Sequence, residues 1–339
     1  MTLLALLFVA GLVAATFIIT GRSDSPRQLG EGTPGRWTLQ PTGAEADLQD
    51  VTFVDSANGW AVGEGGTVVH TSDAGDTWKT QDSGVDIKLT SVHFVNANLG
   101  WAVGKLGVII HTPDGGKTWR RQGAEDTLGL NLTAVSFADE QTGWVVTERG
   151  SRLLRTDDAG ETWGRQFLSN TGSRSDAVFL DRQRGWIVFS QGSFLYTSDG
   201  GESWQFQSGI NGVHIGAIGA FFLDENYGWV AGWRGKGTGV EFARFLSDGM
   251  VARTTDGGRS WQRHDSGTGR FLHDVAFVSP LEGWAVGSFG TILYSNDGGF
   301  TWEPQPSGTQ ENLRGISFPA ANNGWAVGDR GTILRFSRP

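Results

Sequence analysis

A unit of about 42 residues repeats along most of the chain, and this repeat constrains the fold more than any other feature of the sequence. The dipeptide Gly-Trp recurs at intervals of 41 to 43 residues, with one longer interval of 55. A Phe stands six residues before the glycine of each pair. The seven pairs begin at Gly59, Gly100, Gly143, Gly185, Gly228, Gly283 and Gly324. Seven copies in one register indicate a repeat architecture, in which each unit packs against its neighbours.

Each repeat predicts four short β-strands. An alternating segment comes first, Gly-Trp begins the second strand, and a β-branched segment such as Gly-Thr-Ile-Leu forms the third. An Asp-Gly turn then leads into a fourth strand that starts at a second Trp. Four short antiparallel strands at this period are typical of a propeller blade. We therefore predict an all-β, seven-bladed β-propeller with four-stranded antiparallel blades.

The two ends of the repeat region predict how the ring closes. The last copy reaches only its third strand, near Ser337, and a matching fourth-strand pattern stands at residues 36–43, where Trp37 takes the place of the second Trp. We expect this N-terminal strand to complete the last blade, which leaves no open sheet edge at the seam. The propeller is predicted over residues 36–339, with an insertion at about 233–249 in blade 5.

An apolar segment precedes the propeller. Residues 2–21 contain no charged side chain and have about the length that a helix needs to cross a bilayer. We predict a hydrophobic helix at residues 1–21, serving as a signal peptide or a membrane anchor, and a flexible linker at residues 22–35. The protein is therefore expected to be membrane-tethered or exported.

The composition excludes several kinds of site and partner. The chain has no cysteine, which rules out disulfides, thiolate metal sites and a cysteine nucleophile. A net charge of −9 argues against a nucleic-acid partner. We expect neither a cofactor nor a metal.

A second signature follows six of the seven Gly-Trp pairs. Its typical form is Ser/Thr-x-Asp-Gly-Gly-x-Thr/Ser-Trp, which resembles the Asp-box turn of several propeller families. We expect the carboxylate to accept hydrogen bonds from N–H groups of its own turn, while the glycines permit a positive φ. We interpret these aspartates as structural and not as calcium ligands, because they stand one per blade. They are Asp73, Asp114, Asp158, Asp199, Asp256 and Asp297.

Positions that break the repeat are the candidates for function. Turns between the second and third strands of all blades emerge on one face of a propeller, so their cations form a candidate basic face that would favour an acidic partner. The alternative is ordinary solvated charge, because acidic residues stand beside these cations. The candidate residues of this face are Lys105, Arg149, Arg234 and Arg330.

The insertion and the first strands hold two further candidate sets. Insertions in repeat proteins often lie on the binding face, although a tolerated surface loop is the alternative. The partner-binding candidates of the insertion are Trp233, Lys236, Phe242, Arg244 and Phe245. The first strands are expected to line the central channel, which holds either an anion or chain-terminus site or only water. The channel candidates are Arg174, His273 and Arg314.

The unit Phe-(x)5-Gly-Trp-Ala-Val-Gly, followed by Gly-Thr-Ile-Leu and the Asp-box, resembles the photosystem II stability/assembly factor family over residues 36–338. The resemblance implies a membrane-associated, non-catalytic chaperone or scaffold on the periplasmic or thylakoid-lumenal side. It also implies a protein partner, namely a newly made reaction-centre subunit or its soluble terminus, bound partly through an arginine-rich patch. Members of the family tend to carry an insertion in the fifth blade, as this chain does. We expect a monomer.

Two alternative functions stay open. One is a scaffold for another extracytoplasmic membrane assembly in a non-photosynthetic bacterium. The other is a glycosidase, because sialidases also carry Asp-boxes and use a Tyr nucleophile with an arginine cluster. The three Tyr residues all occupy repeat or Gly-Trp turn positions, however, and neither a nucleophile elbow nor a His-Glu-x-x-His motif is present. We therefore expect no enzymatic activity and no catalytic residue.

Overall fold

The structure is a computed structural model that describes residues 35–123, 127, 129–149, 152–168, 172–210, 215–235 and 247–338. The described residues form seven four-stranded antiparallel sheets, which confirms the predicted seven-bladed propeller. The predicted N-terminal helix, and the linker up to residue 34, lie outside the described residues. In the part of the chain that is described, no helix is long and apolar enough to span a membrane.

Each blade is a meander that runs from an inner to an outer strand. Blade 1 comprises β2 (Leu48–Phe53), β3 (Gly59–Gly63), β4 (Val68–Thr71) and β5 (Lys79–Gln81). Blade 2 comprises β6 (Leu89–Phe94), β7 (Gly100–Gly104), β8 (Ile109–Thr112) and β9 (Arg120–Gln122). Blade 3 comprises β10 (Leu132–Phe137), β11 (Gly143–Thr147), β12 (Arg152–Thr156) and β13 (Gly164–Phe167). Blades 4 and 5 comprise β14 (Arg174–Phe179), β15 (Gly185–Phe189), β16 (Phe194–Thr197) and β17 (Gln205–Gln207); and β18 (Ile215–Phe222), β19 (Gly228–Gly235), β20 (Ser247–Thr254) and β21 (Gln262–Asp265). Blades 6 and 7 comprise β22 (Leu272–Phe277), β23 (Gly283–Gly287), β24 (Ile292–Ser295) and β25 (Glu303–Gln305); and β26 (Leu313–Ala320), β27 (Asn323–Gly328), β28 (Ile333–Ser337) and β1 (Arg36–Gln40).

The ring closes in the seventh blade, as the sequence predicts. Strand β1 pairs antiparallel with β28, from Arg36 opposite Ser337 to Gln40 opposite Ile333. The outer strand of blade 7 therefore comes from the N-terminal side of the propeller and its other three strands from the C-terminal side. This arrangement pairs the outer edge of β28, which would otherwise be open to solvent.

Stacked aromatic rings join neighbouring blades. Phe94 of blade 2 lies parallel to Trp60 of blade 1 with ring centroids 3.6 Å apart, and Trp119 meets Phe94 edge-on at 5.9 Å. A Phe–Trp stack recurs at all seven junctions, including Phe53 on Trp325 between blades 1 and 7. The seven Gly-Trp indoles are fully buried. These side chains dominate the core, and each stack adds about 0.5–1.5 kcal/mol beyond its buried area.

The same stacks explain the glycine of each Gly-Trp pair. A Cβ atom on Gly59 would lie 2.3 Å from the ring of Phe53, and one on Gly100 would lie 2.4 Å from the ring of Phe94. Any side chain at this position would displace the Phe from its Trp partner. The fixed spacing of Phe, Gly and Trp in the sequence is therefore the packing of one blade on the next.

Hydrogen bonds reinforce each junction at the outer part of the blades. The indole Nε1 of Trp60 donates to the carbonyl oxygen of Gly115 in the next Asp-box at 3.1 Å. Gln81 donates its Nε2 to the same oxygen at 2.9 Å and accepts a bond from Trp119 Nε1 at 3.2 Å. Blade 7 has no Asp-box, and the Nε1 of Trp284 in blade 6 finds no hydrogen-bond partner among the described residues.

Each Asp-box carboxylate accepts hydrogen bonds from groups of its own turn. Asp73 Oδ1 accepts bonds from the Thr77 backbone N–H at 2.9 Å and from Thr71 Oγ1 at 2.8 Å, and Oδ2 accepts a bond from Thr77 Oγ1 at 2.6 Å. The side-chain and backbone bonds from Thr77 lower the pKa of Asp73 to about 2. Equivalent bonds hold the other five members, Asp114, Asp158, Asp199, Asp256 and Asp297.

Candidate partner-binding face

The meander places two kinds of connection on one face of the propeller, which we call the 2–3 face. It consists of the turns between second and third strands, such as 105–107, 288–290 and 329–331, and of the connections from one blade to the next, such as 82–88, 266–271 and 306–312. Backbone bonds tie the two kinds of connection together, as between Lys105 N and Lys88 O at 3.0 Å. The Asp-box turns lie on the opposite face.

Three of the four predicted cations stand in turns of the 2–3 face. Lys105 belongs to blade 2, Arg149 to blade 3 and Arg330 to blade 7. Two of them are paired: Lys105 Nζ lies 3.5 Å from Glu148, and Arg330 Nη1 lies 3.4 Å from Glu311. The carboxylates offset part of the positive charge of these two residues.

Blade 5 departs from the pattern that the sequence suggests for Arg234. Its second and third strands are eight residues long and pair as far as Gly235 opposite Ser247. Arg234 therefore lies inside β19 opposite Asp248, and the prediction that it occupies a turn is wrong. At about 3.4 Å per residue, the three additional residues carry the hairpin about 10 Å beyond the second strands of other blades. The remaining insertion candidates, Lys236, Phe242, Arg244 and Phe245, lie outside the described residues.

In the part of the chain that the structure describes, three exposed arginines at this end of the propeller have no carboxylate partner. Arg149, Arg234 and Arg270 form no ion pair within 4.0 Å in the described ranges, in contrast to Lys105 and Arg330. Sequence reasoning missed Arg270, because it considered the turns within blades and not the connections between blades. The position of Arg270 between the fourth strand of blade 5 and the first strand of blade 6 was the available signal.

An aromatic cluster accompanies these arginines at blades 5 and 6. Trp233 lies 5.7 Å from Phe271 between ring centroids, and the Arg270 guanidinium lies 4.2 Å from the ring centroid of Phe289. Phe289 is 55% exposed. Of this cluster, the sequence singled out only Trp233. Phe289 occupies the turn position of Gly65 and Phe271 that of Lys88, so the repeat holds no aromatic residue at these positions in the other blades that would have marked them.

The channel candidates make different contacts, one between blades and two within a blade. His273 Nδ1 lies 2.7 Å from Leu313 O of blade 7, its Nε2 lies 3.3 Å from Ser288 Oγ, and burial lowers its pKa. Arg314 Nε donates to Asp329 Oδ1 at 2.5 Å. Arg174 begins β14, where it pairs with Phe189. The structure brings His273 and Arg314 together at the junction of blades 6 and 7.

Three acidic side chains that the sequence analysis overlooked stand in the first strands. Asp50, Asp176 and Asp274 occupy equivalent positions in blades 1, 4 and 6. Burial raises the pKa of all three carboxyls, to about 7 for Asp176, and the charges of Asp176 and Asp50 raise that of Asp274 further. Each carboxylate bonds to backbone N–H groups of its own and the next blade. Their arrangement serves the closure of the ring and not the 2–3 face.

Comparison with solved structures places the fold among other propellers. YCF48 bound to a D1 peptide superimposes with a TM-score of 0.73 at 23% identity, covering 91% of this chain and 96% of that one. YCF48 from Cyanidioschyzon merolae gives a TM-score of 0.72 at 24% identity over 89% and 99% of the two chains. A streptogramin B lyase gives 0.73 at 12% identity over 90% and 98%. At these identities the likeness shows the fold alone.

Sequence comparison is more specific. A search of curated protein sequences found no match. The family model described as photosynthesis system II assembly factor YCF48 matches residues 32–176, 123–205 and 265–337, which together exceed half of the chain. The chain belongs to the family of the photosynthesis system II assembly factor YCF48.

Proposed function

We propose that this protein is a non-catalytic assembly scaffold that binds a carboxylate-bearing segment of a photosystem II membrane subunit on its 2–3 face. The observation that carries the proposal is the set of exposed arginines without carboxylate partners in the described residues, namely Arg149, Arg234 and Arg270. The chain as a whole has a net charge of −9. Guanidinium groups that have no carboxylate partner in the described residues, on an acidic molecule, favour an anionic partner and bidentate bonds to its carboxylates.

A solved relative supports the choice of partner. A solved structure has YCF48 bound to a D1 peptide, so a member of this family can bind a peptide of a partner protein. We extend this binding to the present chain and assign it to the 2–3 face. The residues of that face are held by backbone bonds to neighbouring loops, which presents the arginines on a rigid surface.

Two observations favour binding over glycoside hydrolysis. The Asp-box carboxylates are occupied by hydrogen bonds of their own turns. Tyr294 donates its hydroxyl to Glu282 at 3.0 Å, and burial together with the charge of Glu282 raises the pKa of this phenol. A raised pKa keeps the hydroxyl protonated and makes it a weaker nucleophile.

The location and oligomeric state belong to the same proposal. The uncharged segment at residues 2–21 supports a protein that is exported or tethered to a membrane, with the propeller on the periplasmic or thylakoid-lumenal side. The closed ring supports a monomer, because strand β1 covers the edge of β28, where an unclosed ring would pair with a second chain.

Charge reversal tests the proposal. The full chain is titrated with overlapping fluorescein-labelled peptides that cover the D1 sequence, and binding is followed by fluorescence anisotropy. The double variant Arg149→Glu/Arg234→Glu should weaken the best peptide by about 10-fold or more. Arg121→Glu is the matched control, because Arg121 is exposed on the outer strand β9. Equal affinity of the double variant and the control would refute the assignment to the 2–3 face.

A further inference from the structure

We propose that the aromatic cluster of Trp233, Phe271 and Phe289, flanked by Arg234 and Arg270, is a subsite for one large apolar side chain of an acidic peptide. The inference rests on the proposed function and specifies the chemistry of the partner. It assigns the apolar anchor to the junction of blades 5 and 6, and the neighbouring carboxylates of the peptide to the two arginines.

The backbone at Phe289 is the first observation. Phe289 has a φ of 57°, in the left-handed region, and its side chain is 55% exposed. The equivalent residue of blade 1 is Gly65, with a φ of 61°. Glycine adopts this conformation without steric cost, so the turn itself does not require a Phe. Leu106 and Arg330 have a φ of 54° at the equivalent positions of blades 2 and 7, so what sets Phe289 apart is an exposed aromatic ring that lies under the Arg270 guanidinium.

The ring of Phe289 is held in place before any partner arrives. The Phe289 N–H donates to Asn312 Oδ1 at 3.1 Å, and the Gly290 N–H donates to Glu311 O at 2.8 Å. The Arg270 guanidinium lies over the ring at 4.2 Å from its centroid, which is within the range of a cation–π interaction. Such preorganisation lowers the entropic cost of binding at this surface.

Trp233 extends the apolar surface to the lengthened hairpin of blade 5. Its indole covers Gly216 so closely that a Cβ atom there would lie 1.9 Å from Trp233 Nε1. Trp233 also faces Phe271 at 5.7 Å, and the Phe271 carbonyl accepts a bond from Ser288, the residue before Phe289, at 2.9 Å. Trp233 therefore contacts Phe271 directly, and Phe289 is joined to Phe271 through the backbone of Ser288 and through Arg270, the residue before Phe271.

Charge and size favour a peptide over a membrane surface as the occupant. Arg234 and Arg270 are exposed and unpaired within the described ranges, which complements acidic residues beside the anchor. One face of the Phe289 ring is already covered by Arg270, so the remaining apolar surface suits a single side chain. The net charge of −9 opposes attachment of the molecule to an anionic bilayer.

The test compares two substitutions that are chemically alike. Phe289→Gly and Leu106→Gly each remove an exposed apolar side chain from a left-handed turn position, since Leu106 has a φ of 54° in blade 2. The probes are two labelled peptides of glutamate residues, one with a central Phe and one with a central Ala. The full chain should bind the Phe peptide about 10-fold more tightly than the Ala peptide. Phe289→Gly should remove this preference, and Leu106→Gly should keep it.

Three results would overturn the subsite. The first is that the unsubstituted chain binds the Phe and Ala peptides equally well, and the second is that Phe289→Gly still prefers the Phe peptide. The third is that Phe289→Gly loses binding to phosphatidylglycerol vesicles while neither protein prefers the Phe peptide. The D1 peptides separate this inference from the proposed function. If a D1 peptide binds and responds to Arg149→Glu/Arg234→Glu while the Phe preference is missing, the subsite alone is refuted. If the preference is found and no D1 peptide binds, the subsite is supported and the photosystem II partner is refuted.

Discussion

Asp176 in blade 4 accepts a hydrogen bond from the backbone N–H of Ala220 in blade 5, with 2.8 Å between Oδ2 and the nitrogen. Its other oxygen accepts a bond from its own neighbour Ala177 at 2.8 Å. Asp50 and Asp274 form the same bridges to Val92 and Ile316. In blade 2 a neutral side chain forms the bridge to the next blade: Ser91 Oγ accepts a hydrogen bond from the Val135 N–H of blade 3 at 3.3 Å. The ring is thus joined near its axis by side chains that bond to the backbone of the next blade.

The first prediction concerns the pH dependence of this junction. Burial raises the pKa of Asp176 to about 7 in the folded protein, above its ordinary value of 3.8. Between about pH 4 and pH 7 the folded state therefore holds a proton on Asp176 that the unfolded chain has released. The contribution of this proton to the free energy of unfolding is complete below about pH 4 and is lost as the pH rises through about 7. The free-energy cost of Asp176→Ser should accordingly be about 2–3 kcal/mol smaller at pH 8 than at pH 5, measured by urea unfolding.

The effect of Asp176 must be measured as a difference between variants, because buried histidines change the free energy of unfolding with pH in the opposite direction. Burial lowers the pKa of His93 to about 4, so its contribution to stability is present above about pH 6.5 and lost as the pH falls through about 4. Ser136→Ala removes a neutral acceptor that bonds to the Phe179 N–H of the next blade at 3.2 Å, and its cost should not vary between pH 5 and pH 8. A cost of Asp176→Ser that is constant or increases over this range would contradict the pKa assignment.

The second prediction separates packing from hydrogen bonding at the Gly-Trp indoles. Trp60 and Trp284 are both fully buried and stacked on a Phe, but only the Nε1 of Trp60 has a partner in the described residues. Trp60→Phe and Trp284→Phe remove similar volumes, and Trp60→Phe also leaves Gly115 O without one of its two donors. We expect Trp60→Phe to destabilise the protein by about 1 kcal/mol more than Trp284→Phe in urea unfolding. Equal costs would show that the bond adds no net stability.

The third prediction concerns the Asp-box. Asp73→Ala removes the acceptor for the Thr77 N–H and for two hydroxyls, and should cost about 1–3 kcal/mol. Asp73→Asn retains one side-chain oxygen for the Thr77 N–H, so it should cost less than Asp73→Ala. Thermal unfolding of the two variants checks this order. The reverse order would mean that the carboxylate shape is not what the turn requires.

The fourth prediction concerns the ionic strength of partner binding. Because Arg149 and Arg234 are exposed, their attraction for an acidic peptide is screened by salt, with a Debye length of about 10 Å at 0.1 M. The affinity for a D1 peptide should fall by about 10-fold between 50 and 500 mM NaCl, measured by anisotropy. The double variant Arg149→Glu/Arg234→Glu should show a weaker salt dependence. A salt response that is unchanged in the variant would place the binding site elsewhere.

The ring was predictable from the sequence because its packing is periodic. The spacing of Phe94, Gly100 and Trp101 repeats in every blade, so the stack and the blade count are both visible in one pattern. The closing strand was visible for the same reason, since Trp37 fills a repeat position.

The site was less predictable because it depends on side-chain partners and on local breaks in the pattern. Nothing in the spacing shows that Glu148 pairs with Lys105 while its neighbour Arg149 forms no ion pair within 4.0 Å among the described residues. The aspartates of the first strands were missed because each strand has a bulge just before them, as between Leu48 and Asp50. A bulge changes which face a residue occupies, so simple alternation no longer identifies it.

The most direct test of the proposed scaffold function is a hydrogen–deuterium exchange map of the full chain with and without the best-binding D1 peptide. The account predicts slower exchange in residues 147–149, 232–235, 268–271 and 288–290, around Arg149, Arg234, Arg270 and Phe289, and no change in the Asp-box turns at residues 72–78 and 113–119. Protection confined to the Asp-box turns, or no protection at a saturating peptide concentration, would contradict it.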